Sequence, residues 1–126
     1  MRKSLQIILG TGGAVAVFIA LLHLVFGPAC IPGSVPVNAT MDSEDRFYAT
    51  MFAAYGAALL WCVRDVERKG VYVKLLAIIF FIGGLARLVS MFAVGLPNTF
   101  FISMTGLELG LPLLILFLNS RVSNAP

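Results

Sequence analysis

Charge is scarce in this chain. Only 12% of its 126 residues are Asp, Glu, Lys or Arg while 60% are hydrophobic, and an ordinary soluble domain carries about 25% charged residues. A soluble fold is therefore excluded. Histidine and tryptophan occur once each and cysteine twice, which leaves too few ligands for a structural zinc site and too few thiols for a disulfide framework. Cys30 falls in a loop and Cys62 near the far end of an apolar run, so the pair is expected on opposite membrane faces, beyond bridging distance. No nucleophile motif, phosphate-binding loop or paired redox cysteine is legible, and no catalytic residue, cofactor or metal site is assigned. The densest charged stretch, Arg64-Asp65-Val66-Glu67-Arg68-Lys69-Gly70, mixes signs. It reads as a solvated turn and excludes nucleic acid as a partner.

What the chain has is long apolar runs. They lie at about 5–26, 47–63, 71–94 and 100–118, each close to the roughly 20 residues that a helical span requires. The expected fold is an all-α membrane protein: a single four-transmembrane-helix bundle over residues 1–126, with helices at 5–26, 43–64, 71–94 and 98–118. The net charge of +3 mostly records topology. Arg2 and Lys3, then Arg64, Arg68, Lys69 and Lys74, then Arg121 all fall on one side, so both termini and the Arg64 to Gly70 turn are expected in the cytoplasm. Residues 27–45 and the Gly95 to Asn98 turn then face outward. Met1-Arg2-Lys3-Ser4 before an apolar run resembles a signal peptide, but a run of about 22 residues is longer than a signal-peptide core, and Pro28 is poorly placed for processing.

Two charges stand inside the apolar runs. Arg87 is enclosed by Ile78 to Ala86 and Leu88 to Phe92, and Glu108 lies inside the next run. Measured from the shared turn at Gly95-Leu96-Pro97, they sit about 12 and 15 Å deep at 1.5 Å per residue. Their depths match. An isolated charge at such depth is costly, so the two are expected to face each other within the bundle. Gly83 and Gly84 leave room beside Arg87, and Ser90 shares its face by the 3.6 period. Pro112 lacks the amide hydrogen that the carbonyl of Glu108 would accept, so an acid and a released carbonyl coincide. Gly106 and Gly110 lie nearly opposite and are expected to contact the first helix or a second protomer in a homodimer.

The outward side supplies further polar candidates. Pro28, Pro32, Gly33 and Pro36 prevent a regular helix in the first loop. Asp42-Ser43-Glu44-Asp45 is expected to open the second helix, its carboxylates at the positive end of the dipole. Arg46 is one turn beyond Asp42, close enough to pair with it. His23 lies one turn from the outer end of the first helix. It reads either as an interfacial histidine or as a titratable member of an outward site. Tyr55 needs a hydroxyl partner at depth. Asn38-Ala39-Thr40 spells a glycosylation acceptor and little else supports that reading.

The residues Asp42-Ser43-Glu44-Asp45-Arg46-Phe47-Tyr48, then Phe80-Phe81-Ile82-Gly83-Gly84-Leu85-Ala86-Arg87, then Gly95-Leu96-Pro97, then Glu108 with Pro112 resemble a family of small bacterial four-helix membrane proteins known only as a domain of unknown function. The architecture is also loosely similar to the DoxX-like group. The resemblance implies a multi-pass protein of the bacterial inner (cytoplasmic) membrane and supplies no activity. Asp42, Glu44, Arg46, Arg87 and Glu108 are the positions that match its polar motif. Three readings follow. The leading one is an outward-facing polar pocket that binds or translocates a small solute or lipid-like ligand, with Arg87 orienting an anionic group. The next is a structural or accessory subunit clamped by the Arg87 and Glu108 pair. The least favoured is an enzyme acting on a lipophilic substrate, with Glu108 moving protons alongside Tyr55 or His23.

Overall fold

The computed structural model describes residues 1–123. Four long helices account for most of them: α1 (Arg2–Phe26), α2 (Ala39–Val63), α3 (Gly70–Ala93) and α4 (Thr99–Ser123), with a 3-10 turn at Gly27–Cys30. No strand occurs among the described residues. Helices of 24 or 25 residues extend about 36 to 38 Å, more than the roughly 30 Å of a hydrocarbon core. All four are long and apolar enough to cross a membrane, as expected of a multi-pass membrane protein. Large side chains such as Phe18, Val25, Val71, Val89 and Phe117 are correspondingly exposed.

The helices form two compact units. One is the hairpin Leu9–Val63, and the other joins Met1–Ile8 to the chain from Arg64 onward. Within the second unit, Arg2 Nε pairs with Glu67 Oε1 at 2.6 Å. Its two helices meet along a seam spaced four and three residues apart. On α4 the buried positions Thr105, Glu108, Pro112, Ile115, Asn119 and Val122 follow that spacing, and on α3 Val73, Ala77 and Gly84 do. A four-three repeat keeps one stripe of each helix against its partner. Glu108 is on that stripe, and Arg87 is three residues beyond Gly84 on the other helix.

The first unit uses the same spacing with smaller residues. Buried Gly13, Ala16 and Ala20 on α1 answer buried Ala49, Gly56 and Leu59 on α2. At the crossing, a Cβ added to Gly13 would lie 2.8 Å from the Gly56 carbonyl oxygen, and one on Gly56 would lie 2.8 Å from the Gly13 carbonyl oxygen. The backbones touch there. In lipid, where burying apolar surface gives helices little reason to associate, such close approach supplies the dispersion contacts that hold them.

The first helix starts at Arg2 rather than 5, and the larger departures from expectation are at two other boundaries. The second helix begins at Ala39 rather than 43 because Asn38 caps it, its side-chain oxygen accepting from the Met41 amide at 2.9 Å. Asn38 thus has a structural use, and of the acids only Asp42 lies in the first turn, while Glu44 and Asp45 fall further inside the helix. The fourth helix runs to Ser123 rather than 118, since Leu118, Asn119 and Val122 continue the buried stripe. Asn119 Nδ2 also donates to the Gly70 carbonyl at 3.0 Å, tying that extension to the start of α3. Asn98 caps α4 through the Phe100 amide at 3.0 Å.

Glycine contacts set the first test. Gly56→Leu should destabilise the protein by on the order of 3 kcal/mol through overpacking, read as a lowered midpoint of helix loss on heating in mild detergent. Gly83, which has no atom within 4 Å of an added Cβ, should accept alanine with a gain of up to about 1 kcal/mol. Equal melting of Gly56→Leu and wild type would mean that the helices do not meet at that crossing.

Candidate functional site

The second unit contains an ion pair inside its apolar hairpin. Arg87 lies six residues before the end of α3 and Glu108 nine residues into α4, about 9 and 13 Å along their helices. Arg87 Nε donates to both carboxylate oxygens of Glu108, at 2.8 and 2.9 Å. The guanidinium also lies 5.3 Å from the centre of the Phe101 ring, within the range of a cation–π attraction. Gly84 makes this approach possible: a Cβ there would stand 3.1 Å from Glu108 Cβ and 2.9 Å from Leu109 Cδ2. One turn earlier on α4, Thr105 satisfies its buried hydroxyl by donating to the Phe101 carbonyl at 2.8 Å.

The pair is unequal in exposure. The Glu108 side chain is 7% exposed and that of Arg87 41%. A guanidinium has five N–H donors, and among the described residues only the one on Nε is used in a hydrogen bond. The acid is closed in and the basic edge is open. Ser90, three residues after Arg87 on the same helix, is exposed, and Gly83, four residues before it, faces open space.

The first unit holds a second cluster beside its own turn. His23 Nδ1 contacts both oxygens of Asp45, at 3.0 and 2.8 Å. Arg46 Nε donates to Asp42 Oδ1 at 2.8 Å, and its Nη1 donates to the Leu24 carbonyl at 2.6 Å. Leu24 is in the last turn of α1, where carbonyls lack helical partners, so Arg46 closes the end of the preceding helix. Gly27, just past that end, has φ +68, the left-handed conformation that suits glycine. A Cβ there would meet Arg46 Nη2 and Asp42 Oδ2, each at 2.8 Å. This geometry gives Arg46 and Asp42 a structural task.

The residues singled out from sequence therefore divide. Arg87, Glu108 and Ser90 belong to the second unit; His23, Asp42, Arg46, Glu44 and Tyr55 belong to the first. Glu44 is exposed and makes no ion pair among the described residues. Tyr55 is half-buried with its ring parallel to Phe52, centroids 6.4 Å apart. Gly106 and Gly110 border open space. Sequence reasoning named Asp45 among the outer acids without its partner His23, and gave Phe101 no contact with Arg87. The Asp45 pairing could have been found from the spacing Asp45, Ala49, Phe52, Gly56, which puts Asp45 on the seam of α2. Both cysteines are free thiols, and no group of three or more potential metal ligands occurs among the described residues.

A family model matches residues 4–119, a span that holds both clusters. The chain belongs to the family described as "Domain of unknown function (DUF4345)". Among curated proteins and among solved structures, nothing matches it. The family thus adds no chemistry to the ion pair, whose properties follow from its own geometry.

Removing one partner tests the energetics of that pair. Arg87→Met strands a buried carboxylate and should cost on the order of 3 kcal/mol, whereas Arg87→Met combined with Glu108→Leu should recover most of the loss because no charge is left unpaired. Melting of the single and double variants in mild detergent checks this. A double variant no more stable than Arg87→Met would refute the direct coupling.

Proposed function

We propose that this protein is a multi-pass protein of the bacterial cytoplasmic membrane, with both termini inside, that binds or translocates a small solute or lipid-like ligand at the Arg87 and Glu108 pair. The observation that supports this reading is the unequal exposure of the pair. Glu108 is shielded and fixed, while the terminal nitrogens of Arg87 keep N–H donors that no described residue uses. In an apolar surround, such donors favour a molecule that brings hydrogen-bond acceptors. The basic residues at Arg2, Lys3, Arg64, Arg68, Lys69, Lys74 and Arg121 support the orientation.

A clamp that only fixes helix pairing is the second reading. It is favoured by the seam position of Glu108 and by the 3.1 Å spacing between its Cβ and a Cβ placed on Gly84, since a charge at one seam position can specify register.

The two readings differ in what purifies with the protein. Mass spectrometry of organic extracts should find one or more small molecules enriched with the wild type, and lost from a folded Arg87→Met, Glu108→Leu double variant. Identical extracts from the two proteins, with assembly changed only in the single variants, would leave the clamp as the explanation.

A further inference from the structure

We infer that the two terminal nitrogens of Arg87 form a head-group site for an amphipathic oxyanion, a phosphate or carboxylate carried on a long apolar chain. This rests on the ligand-binding reading above and names the class of ligand. Three observations carry it.

The first is the direction of the pair. Glu108 is the closed end and Arg87 the open end, so an approaching molecule meets the positive pole of a fixed dipole. Anions are favoured there over cations. The second is the donor pattern. Because Nε alone holds both carboxylate oxygens, the two NH2 groups remain side by side in one plane, and that fork matches two oxygens of a phosphate or carboxylate. The Phe101 ring at 5.3 Å flanks the guanidinium and resists its rotation away from this position. Exposed Ser90 adds a hydroxyl at the next turn, and Gly83 leaves the preceding turn without a side chain.

The third observation is the character of the surroundings. From residue 88 to residue 107 no charged residue occurs. The turn end of this hairpin displays Phe92 at 89%, Val94 at 87% and Leu96 at 77% exposure. A small hydrophilic anion would have to shed its water to reach Arg87 through this environment, whereas an oxyanion with an apolar chain keeps that chain in matching surroundings. An amphiphile is therefore the better fit.

The test uses purified full-length protein in a neutral detergent and native mass spectrometry, with dioleoyl phosphatidic acid, oleate, oleyl alcohol, dioleoylglycerol and inorganic phosphate as probes. Arg87→Lys keeps a cation for Glu108 but removes the fork. Wild type should bind phosphatidic acid or oleate about tenfold or more tightly than Arg87→Lys does, as the loss of one charge-assisted hydrogen bond implies. Phosphatidic acid alone showing the effect identifies the phosphate of a lipid, and oleate alone identifies a fatty carboxylate. Should Arg87→Lys fail to fold, the wild type alone still decides, because it should prefer oleate to oleyl alcohol, or phosphatidic acid to dioleoylglycerol, by the same factor.

Inorganic phosphate binding as tightly as phosphatidic acid would overturn the amphiphile. Neutral probes binding as tightly as their oxyanion counterparts, yet lost from the folded Arg87→Met, Glu108→Leu variant, would overturn the oxyanion and leave ligand binding intact. No probe distinguishing wild type from either variant, together with identical extracts from the membranes, would overturn both.

Discussion

A carboxylate enclosed in an apolar helical hairpin requires a cation within hydrogen-bonding reach, and the Arg87 and Glu108 contact meets that requirement across the seam of α3 and α4. Several other features of this hairpin are consequences. Gly84 lacks a side chain because α4 passes too close to permit one. Phe101 lies on the seam spacing one step before Thr105, where its ring can flank the guanidinium. Pro112 is accommodated inside α4 at a buried seam position, where its missing hydrogen bond faces protein rather than lipid. These residues surround one interaction.

The first hairpin is built by the same plan. In both, the base is on the first helix and the acid on the second: His23 with Asp45, 22 residues apart, and Arg87 with Glu108, 21 residues apart. In both, a glycine makes the helix crossing possible, Gly13 and Gly56 in one and Gly84 in the other. They differ in how far the pair lies from its turn. His23 is three residues from the end of α1, about one turn. Arg87 is six residues from the end of α3 and carries a permanent charge. The deeper pair is the one built on arginine.

Much of this is legible in the sequence because membrane helices obey simple constraints. Four runs of sufficient length set the element count, and one arginine and one glutamate at similar distances from a turn identify each other, since neither can be left alone in lipid. Local capping was harder to read. Asn38 matches a glycosylation acceptor by spelling alone, whereas its geometry makes it a helix cap, and of the acids at 42 to 45, which favour a helix start, only Asp42 lies in the first turn. Competing uses of the same residue type cannot be ranked by composition. Arg46 shows this most clearly: its ion pair with Asp42 follows from four-residue spacing, but its bond to the Leu24 carbonyl depends on where the previous helix ends. The His23 and Asp45 contact was also hidden, because a loop of irregular length separates the two helices and spoils any count of depth.

The remaining question is whether a clamp alone accounts for the deeper pair. A charge used only to fix register is best served by closing both ends, because each unused donor left in an apolar surround adds a desolvation penalty without adding register. Glu108 fits that description and Arg87 does not. Its two terminal nitrogens make no hydrogen bond to the acid that the seam supplies, and the neighbouring positions on the helix are exposed Ser90 and the bare backbone of Gly83. A leucine or methionine pair would hold the hairpin without that penalty. What an aliphatic pair could not do is present N–H donors to a molecule arriving from outside the hairpin, and this asymmetry favours ligand binding over a purely structural role.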